Sequence, residues 1–145
     1  VGIVMHASIT EMRNILECVD LIQVYEHDTY LSINKKRMIL SLSTFEGLPS
    51  LKELHEYAYI LVDAKPRQDG VLGGTGRTAN WNLAATLAKD YPLILAGGLN
   101  EFNVEKAIHD VHPFAVDIAS GIEAKPGIKD HDLMKNFLKR CDCDQ

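Results

Sequence analysis

The sequence predicts an α/β fold built on a parallel sheet. Three observations carry that expectation. Six short apolar runs alternate with longer amphipathic stretches. The runs are continuous rather than alternating in polarity, as strands covered on both faces are. Two of the stretches open on Ser-x-x-Glu, the pattern in which a serine and a glutamate satisfy each other's backbone N–H groups at a helix start. Such alternation gives a doubly wound open sheet or part of a (β/α)8 barrel, and the pattern alone fits both.

The expected strands are Val1–Met5, Leu21–Tyr25, Met38–Leu42, Tyr59–Val62, Leu93–Ala96 and Phe114–Ile118. After the first, Ser8 and Glu11 should open a helix with Met12, Ile15, Leu16 and Val19 on one face. A weaker helical signal covers 29–37. Ser50 and Glu53 should open a helix carrying Leu54 and Ala58. Asn80 is expected to cap one carrying Trp81, Ala84, Ala85 and Ala88. Asn100 should cap another, with Val104, Ala107, Ile108 and Val111 inward. Leu133, Met134, Phe137 and Leu138 form the last apolar stripe. Six βα units result, whereas a complete eight-unit barrel needs about 250 residues.

The chain has 145 residues, 46% hydrophobic and 24% charged. One domain over 1–145 is expected, with a polar tail over 140–145. No apolar run approaches the roughly 18 residues of a membrane span. A net charge of −5 argues against nucleic acid, which rewards basic surfaces. Three cysteines, Cys18, Cys141 and Cys143, fit a reducing cytoplasm better than a disulfide scaffold. Cys18 is expected in the core. Val1 stands inside an apolar run with no basic stretch before it, so we expect a preceding segment and no secretory signal.

In parallel α/β folds, chemistry gathers at the carboxyl ends of the strands. Asp63 follows three apolar residues, and partial desolvation would raise its pKa and suit it to acid catalysis; a purely structural hydrogen-bond acceptor is the alternative. The Gly70–Thr78 stretch fails as a phosphate loop, since Val71 stands where the first glycine belongs and Arg77 where the lysine does. A loop over a site, or a plain surface turn, fits it better. Gly97-Gly98 and Ser120-Gly121 lie at two neighbouring strand ends, where small residues let backbone N–H groups approach an anion. A short helix there would add its positive end. Barrels hold substrate phosphate at strands seven and eight. If these are those strands, strands one and two are lacking.

No histidine pair has metal-binding spacing, so no metal is expected. His6, at the first strand's end, is expected to be structural, His55 and His109 to be solvated on helices, His112 to lie in a loop and His131 to open the last helix. Lys35-Lys36-Arg37 is expected to be a solvated helix end. Lys65 and Arg67 either lend the site positive potential or serve solubility. Trp81 and Phe102 are expected to pack.

Several blocks, in order, resemble the phosphoribosylanthranilate isomerase family. Val62-Asp63, Gly73-Gly74-Thr75-Gly76-Arg77-Thr78 and Trp81 are similar to its sixth strand and loop. Leu95–Asn100, with Asn103-Val104 and Ala107-Ile108, is similar to its seventh. Pro113–Glu123, Pro126-Gly127 and Lys129-Asp130 resemble its eighth. Val1-Gly2-Ile3-Val4 and Leu21-Ile22-Gln23-Val24 resemble strands three and four more loosely. The resemblance implies a (β/α)8 barrel of which strands three to eight are present.

It also implies an Amadori rearrangement of N-(5-phosphoribosyl)anthranilate in tryptophan biosynthesis, without cofactor or metal. Asp63 matches the family's general acid. Gly97, Gly98, Ser120 and Gly121 would hold the phosphate, Asp117 would face the ribose hydroxyls, and Gly74 and Gly76 would help close the site. Departures follow. The family's general base is a cysteine ending strand one, and no cysteine here holds that place. The anthranilate-binding arginine near strand two is lacking. Gln23-Val24-Tyr25-Glu26 replaces the usual Gln-Leu-His-Gly, and Ala119 a common serine. The isolated chain is therefore expected to be inactive, with self-association or a complementing N-terminal segment at the open sheet edges. A non-catalytic phosphate-sugar binder or assembly partner is the alternative. The loop-six glycines argue against indole-glycerol-phosphate synthase and the histidine-pathway isomerase, although fusion to the synthase fits.

Overall fold

The computed structural model describes residues 1–25, 33–42, 50–63 and 81–142, the side chain of Leu51 aside. The expected loop residues Gly74 and Gly76, with Glu26, Lys65, Arg67, Asn80 and Cys143, lie outside the described residues. The chain forms two compact units, Val1–Leu61 and Val62–Gln145.

The first unit carries β1 (Gly2–Val4), α1 (Ile9–Cys18), β2 (Ile22–Val24), β3 (Met38–Leu42), the one-turn α2 (Leu51–Leu54) and β4 (Tyr59–Val62), whose last residue opens the second unit. The second holds α3 (Trp81–Ala88), β5 (Leu93–Leu95), α4 (Val104–Val111), β6 (Ala115–Val116), the short strands β7 (Glu123–Lys125) and β8 (Ile128–Lys129), and α5 (His131–Cys141). Strands β1 to β6 follow chain order in a six-stranded parallel sheet. β2 and β3 are buried at every position, so their unbroken apolar runs reflect burial on both faces.

All six expected strands form, two with the expected bounds and four shorter by one to three residues. Ser8 and Glu11 make the expected box: the Ser8 hydroxyl accepts from Glu11 N–H, and the Ser8 N–H donates to the Glu11 carboxylate at 2.8 Å. Ser50 and Glu53 repeat it at 2.7 Å, but that helix ends at Leu54, and Ala58 instead donates its N–H to the carbonyls of Lys35 and Met38.

The structure corrects several expectations. Cys18 is exposed, because a residue six after Met12 lies well off the face that Met12, Ile15 and Leu16 share. The 29–37 segment yields, among its described residues, only a 3-10 turn over Lys35–Arg37. Lys35 and Arg37 are half-buried rather than fully solvated, Lys36 is exposed as expected, and all three side chains are anchored. Arg37 donates to the carbonyls of Leu16, Val19 and Asp20 at 2.9, 2.6 and 3.0 Å. It thereby caps the carboxyl end of α1, whose last turn has no basic residue of its own. Lys35 pairs with Glu56, and Lys36 donates to His55 O, each at 2.7 Å. Phe102 is 86% exposed rather than packed. The helix expected from Asn100 starts at Val104, with Asn103 at its cap position. The last helix runs on through Cys141, into the stretch expected as tail.

Candidate functional site

Three strand tips of the second unit are brought level by backbone hydrogen bonds. Ala96 N–H donates to Val62 O at 2.8 Å, and Asp117 N–H to Leu95 O at 2.8 Å. Parallel neighbours lie about 4.8 Å apart, so the residues just past these bonds converge. They are Asp63, Gly97-Gly98 and Ile118–Gly121. Together with Ala96, Leu99 and Asp117 they line one cleft of about 60 Å³. The structure thus gathers Asp63, Gly97, Gly98, Asp117, Ser120 and Gly121. Asp63 is half-buried and Asp117 exposed.

The two glycine-bearing turns are built differently. Gly97 and Gly98 adopt φ of 84° and 68°, the left-handed region that a Cβ disfavours. The chain can therefore turn sharply straight out of buried β5. The turn is tied down from α4. Asn103 Nδ2 donates to Gly98 O at 2.9 Å, and Asn103 Oδ1 accepts from Asn100 N–H at 2.9 Å. Asn100 accepts from Phe102 N–H with its own side chain, a local turn bond that competes with capping. Asn100 therefore closes the loop and the helix begins later.

The second turn leaves β6 and enters a 3-10 helix over Ser120–Ile122. A Cβ on Gly121 would lie 2.0 Å from Leu99 O, so only glycine allows the two turns to touch. Behind this turn stands the β7–β8 hairpin, which sequence reasoning missed. Its signal was Pro126-Gly127, a turn pair whose glycine must accept positive φ; Gly127 has φ 79°. The hairpin presents Lys129, whose Nζ donates to Ala119 O at 2.7 Å and to Glu123 Oε1 at 2.9 Å. The Lys129 ammonium holds the Glu123 carboxyl below its usual range, chiefly by that hydrogen bond.

A half-buried carboxyl group and two backbone turns facing one small cleft suit recognition of an anion with a proton donor beside it, on an α/β scaffold. The comparisons make this particular. A sequence model of N-(5'phosphoribosyl)anthranilate (PRA) isomerase matches residues 1–140. The chain is 34% identical to the N-(5'-phosphoribosyl)anthranilate isomerase of Geotalea uraniireducens, over 97% of this chain and 70% of that one. Among solved structures it is similar to the phosphoribosyl anthranilate isomerase of Thermotoga maritima, at TM-score 0.75 and 30% identity, covering 96% of this chain and 70% of that one. It is also similar to such an isomerase in complex with reduced 1-(o-carboxyphenylamino)-1-deoxyribulose 5-phosphate, at TM-score 0.67 and 26% identity, covering 96% and 69%. The chain belongs to the phosphoribosylanthranilate isomerase family of tryptophan biosynthesis.

Proposed function

We propose that this chain carries the acid and phosphate-binding part of a phosphoribosylanthranilate isomerase. The observation that carries the reading is that Asp63 and both turns share one cleft. The bound product-like ligand of the similar structure is a deoxyribulose phosphate. Here, the phosphate sits against Gly97, Gly98, Ser120 and Gly121, with the ribose hydroxyls toward Asp117. Asp63 gives its proton to the ribose ring oxygen as the C1′–O bond breaks, and the anthranilate nitrogen lone pair forms the C=N bond. A base then takes the C2′ proton, whose bonding pair becomes the enolamine double bond. Tautomerisation gives the ketone. This chemistry needs neither cofactor nor metal.

The six βα units correspond, in this reading, to units three to eight of the family's barrel, in the cytoplasm. Gly74 and Gly76 belong to the loop that closes the site. The family's cysteine base then comes from a segment outside this sequence, in the same polypeptide or a complementing one, or the edges associate between copies. In support, the first unit exposes Ile3 on β1 at 67%, and the second exposes Phe114 beside β6 at 65%. Among the described residues, no helix is long and apolar enough to cross a membrane.

The test is loss of the substrate's anthranilate fluorescence. With the preceding barrel units supplied, turnover is expected, and Asp63→Asn should lower kcat by on the order of 10²–10⁴-fold. Equal rates would remove Asp63 from the mechanism. A second reading, a phosphate-sugar binder without turnover, is favoured by the positions of the two described cysteines: Cys18 ends α1 and Cys141 ends α5, neither at a strand tip. Binding without turnover by the completed barrel would select it.

A further inference from the structure

Lys129 does not line the cleft, yet it touches the backbone that does. Its Nζ lies 2.7 Å from the carbonyl oxygen of Ala119, a cleft residue. A trans peptide unit is planar, so the carbonyl of one residue and the N–H of the next point in opposite directions. Holding Ala119 O therefore fixes the direction of the Ser120 N–H. The ammonium is itself located by two independent constraints. Its second bond reaches Glu123 Oε1 at 2.9 Å, and Glu123 is the register partner of Lys129 across the hairpin. The hairpin is in turn joined to the 3-10 turn, since Asp130 N–H donates to Ile122 O at 2.8 Å. Drift of the ammonium therefore breaks one or both of these bonds.

We infer that Lys129 is a positioning residue of the phosphate site, its ammonium holding the Ala119 carbonyl so that the Ser120 N–H is aimed at the bound phosphate. The inference rests on the phosphate-site reading above. It assigns Lys129 an indirect role: the phosphate meets the backbone, and the lysine sets how that backbone is presented. An ammonium suits this task better than a neutral donor. Charge-assisted hydrogen bonds are shorter and roughly twice as strong, and its positive charge favours an anion on the far side of the peptide.

The test uses the full 145-residue chain with ribose 5-phosphate as probe. Affinity is measured by calorimetry, and the phosphate-induced shift of the Ser120 amide by ¹⁵N–¹H spectra. Lys129→Met should weaken binding by about tenfold and abolish the Ser120 shift. Lys129→Arg, which keeps charge and donors, should restore both. Lys129→Gln, a neutral donor, should fall between them and serves if the methionine variant does not fold. A lysine that merely stabilised the hairpin would lower the melting temperature but leave the Ser120 shift of the folded fraction intact, and that result overturns the inference. So does unchanged affinity in Lys129→Met or Lys129→Gln. If the unmodified chain binds no ribose 5-phosphate, the site reading fails and the role of Lys129 with it. If it binds and both variants bind equally, only the role of Lys129 fails.

Discussion

The turn after β5 and the turn after β6 face the same cleft by different means. The first is shaped by two glycines at positive φ and fixed by a neutral amide, Asn103. The second is shaped by one glycine in backbone contact with its neighbour and fixed by an ammonium from a hairpin. One turn is therefore held by conformation, the other by contact and charge. The difference teaches that a cleft at strand ends can be shaped by residues that do not line it. It also predicts unequal responses to volume, salt and acid.

The largest expected effect comes from volume. Gly121→Ala places a methyl group 2.0 Å from Leu99 O, and Leu99 is backbone that cannot swing aside as a side chain could. Overpacking of this kind costs about 1–3 kcal/mol. Because the strain is relieved by parting the two turns, we expect ribose 5-phosphate affinity to fall by on the order of a hundredfold. Thermal unfolding and calorimetry together check this. Retained affinity would show that the turns act independently and that their contact is incidental.

Asn103→Ala is smaller. It removes the donor to Gly98 O and the acceptor for Asn100 N–H, both at the partly buried turn. Two neutral hydrogen bonds at about 1 kcal/mol or less each, partly replaced by water, predict about a fivefold loss of affinity. Salt sharpens the comparison. Raising ionic strength should narrow the gap between unmodified chain and Lys129→Met, because an exposed ammonium is screened. The gap for Asn103→Ala should hold. If both gaps close equally, the ammonium and the amide do not differ in kind.

Much of this site was legible in the sequence, for reasons that also explain what was not. Strand tips could be placed because apolar runs covered on both faces end abruptly at polar residues, as Val62-Asp63 and Ala96-Gly97 do. Convergence of those tips follows from parallel neighbours in chain order. Asn103 was visible only as part of a motif, since its bond to Gly98 O spans a loop whose path no periodicity reports. Lys129 was harder still. Its task depends on a two-strand hairpin too short to show alternation, announced only by Pro126-Gly127. Arg37 is a parallel case in the other unit. It stands far along the chain from the α1 carbonyls it caps, and a run of three basic residues reads as solvated until the fold brings acceptors to it. Cys18 departs for a simpler reason: its hydrophobicity favours burial, but its helical phase turns it off the apolar face of α1.

Acid should give the smallest and most selective effect. The Glu123 carboxyl is held below its usual range by the Lys129 hydrogen bond first, with the nearby positive charge adding to it and burial opposing. A folded-state pKa below the unfolded value means the anchor contributes fully at pH above the unfolded value and is lost as pH falls through the folded one. The turn after β5 is secured by Asn103, which does not titrate. Acidification of the ligand-free chain should therefore move the Ser120 amide with a midpoint below the ordinary glutamate value of 4.5, while the Leu99 amide stays level through the same range. ¹⁵N–¹H spectra between neutral and acid pH read both at once. Both groups of the pair are solvent-accessible, so Lys129 keeps its bond to Ala119 O after Glu123 is protonated and the shift should be partial. Glu123→Gln should remove the titration and leave that bond in place. A Ser120 amide that titrates undiminished in that variant would locate the acid-sensitive group elsewhere and break the contrast between the two turns.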